Sequence, residues 1–428
     1  KSDLYGGTLQ TALDMTAQYY SYYDISECPY GHYQTFEYEH PSCTAISDAL
    51  WMRIYYCIGL TNNLLKYLDK PEAVQICSNY DYLRGEALAL RAYLHFELIR
   101  IFAPDVKKNP EYKSIPYRKT FSPDIEPQLK VKEVYQEILA DLTEAKQLLS
   151  NDVIRTNGPD WLGESEKKEE SDDVTDKNEG YYTSDFLKTR KYRMNYYAVL
   201  GTLARVHLTL GTTDDMEKAY DYAMEVIESG KFRPIQEEHI LVSGEQAKYR
   251  DILFTDEFIF GLYSAQVDAF YKSNFDESYG VKKILINKLS DIYGQGTRDL
   301  RQTHWFKTSW GTSYLLKHNA DLEYAKEKVR MITLAEMYYI AAEAHPAEAY
   351  DLLEEILPSR EIHSSLPVNA GRTEVLTEVL KEYRKEYIGD GQFFYAYKRL
   401  IEEEAAIHPL GINIPNENKV LVWPLPQD

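Results

Sequence analysis

The chain has 428 residues, with 68 acidic and 48 basic side chains and a formal net charge of −20 at pH 7. This acidity argues against nucleic-acid binding, because a surface that meets phosphate needs clustered lysine and arginine. Hydrophobic residues make up 44% of the chain and support a sizeable core, although 428 residues exceed what one compact core usually holds. A helical repeat array avoids that limit, because each unit packs only on its neighbours.

Tyrosine is unusually frequent, with 38 Tyr against 14 Phe. A tyrosine ring buries apolar area but keeps a hydroxyl that needs a partner, so most should pack helices while some suit a sugar- or partner-binding surface. The four cysteines form no C-x-x-C pair and have no histidine at metal-ligand spacing, so neither a metal nor a cofactor is predicted. A disulfide between Cys28 and Cys43, which flank a loop-like stretch, stays open.

The first part of the chain is predicted to be mostly helical. An aromatic, turn-rich segment over 1–45 should hold one short helix near 8–20. Helices with apolar residues at three- and four-residue steps are then predicted over 49–68, 81–102 and 131–149. Residues 151–180 change to a polar, acidic sequence that indicates an exposed loop. Its acidic part, 164–179, lacks the spacing of an EF-hand, and cation binding there stays open.

The most informative stretch is 193–232, where two amphipathic segments are separated by a short polar turn. Gly211 ends the first segment and Thr212 offers a cap for the second. Small residues such as Gly201 and Ala219 allow the two helices to approach closely. This pattern predicts a hairpin of the tetratricopeptide type, which cannot bury its apolar face alone and so requires similar neighbours.

Residues 233–330 lose helical regularity, apart from a strand predicted at 257–263. An aromatic run at 304–314 shows neither helical nor strand periodicity, and a loop-rich insertion of this length usually carries function. Helices return from Met331, with a last helix over 373–389 and an extended C-terminus. We therefore predict one mainly α domain over 1–428, with a helical scaffold at about 45–150, 190–232 and 331–402.

Short motifs are spread over most of the chain in a specific order and spacing. They are Trp51, Ile58, Asn62 and Asn63; Gly85, Glu86, Ala87, Arg91, Ala92 and Tyr93; Asn195, Tyr196, Tyr197, Ala198, Ala204, Arg205 and Val206; Arg330, Ala335, Glu336, Ala342, Glu343 and Ala344; Glu382, Arg384, Lys385, Glu386, Tyr387, Gly391, Lys398, Arg399, Pro424, Leu425 and Pro426. Together they resemble the SusD/RagB family of outer-membrane nutrient-binding lipoproteins. The chain departs from the family pattern at Glu382-Tyr383 and Asp390-Gly391, which leaves the subfamily and its ligand open.

The resemblance implies a SusD-like fold of tetratricopeptide-type hairpins with loops and insertions forming the ligand site on one side. It implies a protein on the extracellular face of the outer membrane, anchored by a lipidated cysteine that would precede Lys1, and partnered with a SusC-like TonB-dependent transporter. No run of about 18 apolar residues predicts a membrane-spanning helix. An export segment removed from the chain or left out of it is compatible with this sequence.

The residues bear on four possible functions. Binding of an extracellular glycan is favoured, and binding of peptides is the alternative. A glycoside hydrolase is not predicted, since no carboxylate pair stands out among 68 acidic residues and no G-x-S-x-G or H-E-x-x-H motif occurs. The aromatic insertion argues against a pure scaffold.

The predicted ligand site lies on aromatic residues outside the helical stripes. Tryptophan is scarce, with five in the chain, and Trp161, Trp305 and Trp310 are the candidates for exposed platforms. Tyr314 extends the 304–314 site, and Tyr30 and Tyr33 represent a second crowded segment at 19–38. Burial of Trp305 and Trp310 as plugs between the insertion and the helices is about equally compatible with the sequence.

Overall fold

The computed structural model describes residues 4–22, 28–161, 186–275, 284–286, 289–309, 311–319, 321–401 and 421–426. Two features predicted from the sequence, Trp310 and the acidic part of the polar loop at 164–179, lie outside these ranges.

The described chain is mainly helical, as predicted. In chain order its α-helices are α1 (Thr8–Thr16), α2 (Gly31–Gln34), α3 (Pro41–Leu68), α4 (Ala73–Ile76), α5 (Tyr80–Phe102), α6 (Val131–Leu148), α7 (Ile154–Asn157), α8 (Tyr196–Leu210), α9 (Thr213–Glu228), α10 (Glu237–Ile240), α11 (Val267–Phe275), α12 (Leu289–Tyr293), α13 (Leu300–His304), α14 (Leu334–Ala344), α15 (Ala349–Ile356), α16 (Arg372–Glu386) and α17 (Phe393–Ile401). Its strands are β1 (Tyr20–Tyr22), β2 (Phe258–Tyr263), β3 (Ile284–Ile286), β4 (Phe306–Ser309), β5 (Thr312–Leu315) and β6 (Lys328–Thr333).

The predicted hairpin at 193–232 is formed by α8 and α9. The Asn195 side chain caps α8 by accepting from the backbone N–H of Ala198 at 2.9 Å. Gly211 ends the helix in the left-handed region at φ +69°, which favours glycine. Thr212 then caps α9 by accepting from Asp215 N at 3.1 Å. Local capping chemistry therefore fixes both ends of the turn.

The long helices form a continuous array. Helix α3 packs against α5, α5 against α6, α6 against α8, α8 against α9, α9 against α14, and α14 against both α15 and α16. A Cβ atom built at Gly201 of α8 would lie 2.9 Å from the Ile332 side chain, so this glycine permits close approach of helix and strand. The array buries one extensive hydrophobic core, with α3 as the helix at its N-terminal end.

Among the described residues, three two-stranded antiparallel sheets accompany the array: β1 with β3, β2 with β6, and β4 with β5. The predicted strand at 257–263 is confirmed as β2. Two other predictions are wrong. Residues 328–333 form β6, so the helix begins at Leu334 and not at Met331, and the 304–314 run contains the β4–β5 hairpin. Each strand of that hairpin has four residues, too few for alternation to stand out in the sequence.

A buried ionic cluster joins the insertion to the C-terminal helices. Glu386 accepts hydrogen bonds from Arg330 at 2.7 Å and Arg301 at 3.0 Å, with Arg360 at 3.4 Å. The side chains of Glu386, Arg301 and Arg360 are fully buried. Several motif residues of the C-terminal part are thus structural, because they tie strand β6 and helix α13 to α16.

Candidate functional site

Trp305, one of the predicted platforms, is completely buried. Its indole Nε1 donates to the carbonyl oxygen of Ile252 at 2.5 Å, and its ring lies 5.2 Å from that of Phe254. The Lys317 ammonium sits over the ring at 4.1 Å. The prediction of an exposed Trp305 is therefore wrong, because the ring fills the space between the insertion and the core.

Tyr30 and Tyr33 are also packing residues. Tyr33 has no exposed surface, donates its hydroxyl to the Cys43 carbonyl at 3.0 Å, and lies 4.6 Å from the Trp423 ring. Tyr30 is 8% exposed, and its hydroxyl faces Thr8 Oγ1 at 3.5 Å. Neither ring has a free face for a ligand, because this N-terminal segment and the C-terminal segment cover each other. Cys28 and Cys43 are free thiols, so no disulfide joins them.

The remaining predicted residues are closer to the surface or undescribed. Tyr314 is half-buried in β5. Trp161 is half-buried, and its carbonyl accepts from Thr189 N at 2.9 Å. The structure thus does not gather the predicted residues into one described site.

A different group of tyrosines is exposed at the end of the β2–β6 sheet. Tyr263 is 60% exposed, Tyr324 43% and Tyr249 42%. The half-buried Tyr192 ring lies behind Tyr263, with ring centroids 4.3 Å apart and planes tilted by 46°. We call Tyr192, Tyr249, Tyr263 and Tyr324 the tyrosine platform. Exposed aromatic rings stack on ligands with apolar surfaces. The Lys248 and Lys328 ammonium groups lie over the rings of Tyr249 and Tyr324, at 4.9 and 5.6 Å from the ring centroids, which leaves Tyr263 as the most exposed ring.

Backbone pairing positions this platform. Tyr263 ends β2 and is paired in register with Lys328, the first residue of β6. The Lys328 ammonium donates to the carbonyls of Glu323 at 2.9 Å and Tyr324 at 3.0 Å. Glu323 N in turn donates to the Lys248 carbonyl at 2.8 Å, which brings the segment with Tyr249 alongside. The sheet register and the hydrogen bonds of Lys328 therefore bring tyrosines from separate segments together.

Charged groups of both signs lie beside the rings. Lys191, adjacent to Tyr192, forms a 2.6 Å ion pair with Asp160. Asp251 is 1% exposed, and its Oδ2 accepts from the N–H and hydroxyl of Thr255 at 2.8 and 2.7 Å. Burial raises the pKa of Asp251 to about 6. Burial also lowers the pKa of Lys328, although the nearby Asp251 carboxylate opposes that shift. Of these groups, the exposed Asp160 carboxylate and the half-buried Lys328 ammonium are accessible beside the rings, whereas Asp251 and Lys191 are buried.

No group of three or more His, Cys, Asp or Glu side chains within the described ranges is arranged to hold a metal ion. In the same part of the chain, no helix is long and apolar enough to cross a membrane.

The platform tyrosines are not among the site residues predicted from the sequence. The insertion at 233–330 contributes Tyr249, Tyr263 and Tyr324. In β2, however, the first four residues are all buried, so period-2 alternation does not reveal that Tyr263 is exposed. Tyr192 lies before the hairpin helices and has no periodic context. Only the fold brings these residues together.

The sequence pattern of a SusD-like family, described as "Starch-binding associating with outer membrane", matches residues 13–158. The chain is similar in structure to a SusD superfamily protein from Bacteroides fragilis, with a TM-score of 0.69, 18% identity, and 99% of this chain and 91% of that chain covered. For a SusD-like carbohydrate binding protein from Bacteroides vulgatus, the TM-score is 0.66 and the identity 19%, with 91% of this chain and 77% of that chain covered. For a putative sugar binding protein from the same species, the TM-score is 0.63 and the identity 19%, with 92% of this chain and 85% of that chain covered. No curated protein matches the sequence.

Proposed function

We propose that the chain is a SusD-like protein that binds a glycan at the cell surface without transforming it, because it shares the fold of that superfamily and residues 13–158 match the sequence pattern of the family. SusD-like proteins are binding proteins. The observation that carries the proposal is the tyrosine platform, where the paired rings of Tyr192 and Tyr263 stand beside two further exposed tyrosines.

The chemistry of the platform suits a saccharide. A sugar ring presents an apolar C–H face that an exposed aromatic ring can cover, and its hydroxyls need convergent donors and acceptors nearby. At the platform the donors are the half-buried Lys328 ammonium and the tyrosine hydroxyls, and the exposed Asp160 carboxylate supplies an acceptor. Because charges of both signs are present, the platform favours a neutral, hydroxyl-rich ligand over a polyanion.

The test begins with a binding screen of the full chain against defined oligosaccharides, polysaccharides and peptides. The variant Tyr263→Ala should bind the saccharide that the screen identifies about ten-fold more weakly or worse, as loss of a central aromatic anchor does elsewhere. Tyr263→Phe keeps the ring and should retain most of the affinity. Tyr112→Ala is the matched control, since Tyr112 is 47% exposed but lies outside the platform, in the connection between α5 and α6.

Unchanged affinity in both Tyr263→Ala and Tyr324→Ala would refute the platform as the site. The next variant would then be Tyr314→Ala, together with Trp310→Ala, which test the hairpin site predicted from the sequence. Binding of peptides but of no saccharide in the screen would favour the alternative function. Hydrolysis of a bound glycan, abolished by a single carboxylate substitution, would show an enzyme instead.

We also propose that the chain delivers its ligand to a SusC-like TonB-dependent transporter in the outer membrane, held there by a lipid anchor. The partnership is implied by the family, and the outer face of α3 supports it. Five large apolar side chains are exposed there: Met52, Tyr56, Leu60, Leu64 and Tyr67. A helix at the end of an array normally presents a polar outer face, so an apolar one indicates a partner surface.

This partnership is testable without knowing the ligand. In cells carrying the matching transporter, the native protein should co-purify with it, and a Tyr56→Lys, Leu60→Lys double variant should lose that association while keeping saccharide binding. An unchanged yield of the complex would place the contact elsewhere. Recovery of the native protein without a lipid-modified cysteine would contradict the anchor.

A further inference from the structure

A cleft of about 610 Å³ opens between α3, α5, α6 and the connection before α6. It falls within the size range of ligand sites in proteins, which is roughly 300–1,000 Å³. It is separate from the tyrosine platform, because none of its lining residues belongs to β2, β6 or the insertion. The lining includes Asn62, Asp69, Arg84, Arg91, Phe121 and Glu144.

The floor of the cleft is a rigid, buried polar network. Arg91 binds Asp141 in a bidentate pair, with Nε–Oδ2 at 2.6 Å and Nη2–Oδ1 at 2.7 Å. Its Nη1 donates to Asn62 Oδ1 at 3.0 Å, and the Tyr117 hydroxyl donates to Asp141 at 2.6 Å. These partners hold the floor in one arrangement before any ligand arrives.

One wall of the cleft is an extended segment fixed by side-chain hydrogen bonds. Asn62 Nδ2 donates to the Arg118 carbonyl at 3.0 Å, and Arg118 N donates to the buried His95 Nε2 at 3.0 Å. The Arg118 guanidinium donates to the carbonyls of Ser122 at 2.5 Å and Asp124 at 3.0 Å. This connection is therefore ordered without belonging to a helix or strand.

The fixed wall presents an exposed aromatic ring at the cleft. Phe121 is 53% exposed, and it lies against α3 at Gly59, where an added Cβ would be 3.9 Å from the ring. A large apolar side chain held at the mouth of a polar cleft by a rigid backbone is pre-organised for contact with a ligand.

The rim carries charges of both signs. Arg84 spans the cleft, with Nη1 at 2.6 Å from Asp69 and Nε at 2.9 Å from Glu144. Lys66 and Lys119 complete the cationic lining. Carboxylates on both sides of Arg84 disfavour phosphate or another anion, whereas hydroxyl groups can donate to the carboxylates and accept from the guanidinium and ammonium groups.

We propose that this cleft is a second saccharide-binding site, independent of the tyrosine platform. A neutral sugar unit stacks on Phe121, and its hydroxyls bond to Arg84, Asp69 and Glu144. Two sites on separate parts of the chain would engage two stretches of one polymer, which raises the overall affinity for long chains without new contacts.

The experiment is a calorimetric titration of the full chain and its variants with maltoheptaose and with every oligosaccharide that binds in the screen. Phe121→Ala should weaken one class of sites by about ten-fold or more, as removal of an aromatic anchor does. Phe121→Trp keeps a stacking ring and should preserve that class. Tyr263→Ala should leave it unchanged. Phe121 is a surface residue, so its variants test binding in a folded chain, as circular dichroism will check.

Each outcome decides between the two sites. If Phe121→Ala and Arg84→Ala both bind every saccharide as the parent does, or if Tyr263→Ala removes all binding, the cleft proposal is overturned while the platform can stand. If Phe121→Ala loses all saccharide binding while Tyr263→Ala binds as the parent does, the result supports the cleft and overturns the platform. Absence of any bound saccharide, or competition at Phe121 by peptides alone, overturns the cleft proposal.

Discussion

Replacing Glu386 by alanine should be among the most destabilising single substitutions in the C-terminal half of the chain. Glu386 is fully buried and contacts the guanidinium groups of Arg301, Arg330 and Arg360. Its removal leaves these cations with less negative charge around them. Breaking a buried ion pair from one side usually costs about 3–5 kcal/mol.

The surrounding carboxylates set where in this range the loss should fall. Arg301 keeps Glu382 at 2.7 Å, Arg360 keeps Glu257, and Arg330 keeps Asp390 at 2.6 Å. No guanidinium of the cluster is therefore stranded, and we expect a loss near the lower end, about 3 kcal/mol. Glu386→Gln should recover only a small part of it, because the amide keeps the shape but not the charge.

The pH dependence of this loss has a definite sign. Burial raises the pKa of Glu386, but Arg360, Arg330 and Arg301 outweigh it and hold that pKa well below the usual glutamate value. A depressed folded-state pKa gives stability that is present above the unfolded pKa, about 4.3, and is lost as pH falls through the lower folded value. The difference between parent and variant should therefore shrink in acid.

The assay is equilibrium urea unfolding at pH 7 and at pH 4 or below, followed by circular dichroism. Asp214→Asn is the control, since Asp214 pairs with Lys218 on the exposed surface of α9 and its loss should leave stability unchanged within error. A loss below about 1 kcal/mol for Glu386→Ala at pH 7 would refute the reasoning, because it would show that the cluster relaxes without it.

Three further changes test other parts of the fold. Burial lowers the pKa of His95 to about 3, and the neutral ring accepts a hydrogen bond from Arg118 N at its Nε2. Because the unfolded chain takes up a proton at this histidine below about pH 6.5 and the folded chain does not, the folded state loses stability as pH falls below that value. By pH 5 the loss of unfolding free energy should reach roughly 2 kcal/mol. Urea titrations of the parent and of His95→Gln should show this loss in the parent and not in the variant. Asn195→Ala removes the α8 cap and a 2.8 Å bond to the Ile259 carbonyl, so its unfolding free energy should fall by about 1–3 kcal/mol. Gly201→Ala should lower the thermal midpoint despite better helix propensity, because the new methyl lies 2.9 Å from a β6 side chain; a rise would contradict the close packing.

The helical array could be predicted because its signal is local. Apolar residues repeat every three or four positions over long stretches, and Gly211 and Thr212 mark the hairpin turn in both sequence and structure. The fold that the motifs implied is confirmed by the structural comparison. The short strands were missed because four residues carry too little alternation, as in β4 and β5.

The candidate site could not be predicted residue by residue, because it depends on contacts between distant segments. A scarce tryptophan in a loop-like run suggests a surface platform. Trp305 is nevertheless buried, and its indole N–H donates to the carbonyl of Ile252, 53 positions away. Tyr192 and Tyr263 meet only because β2 and the turn before α8 come together. In a chain with 38 tyrosines, residue type alone does not separate packing rings from binding rings.

A crystal structure of the full chain with its best-binding oligosaccharide tests the central claim most directly. We predict a sugar unit with its C–H face against Tyr263 or Tyr324 and its hydroxyls within hydrogen-bond distance of Lys328 or Asp160. A saccharide bound elsewhere, with the faces of all four platform tyrosines left free, would contradict it.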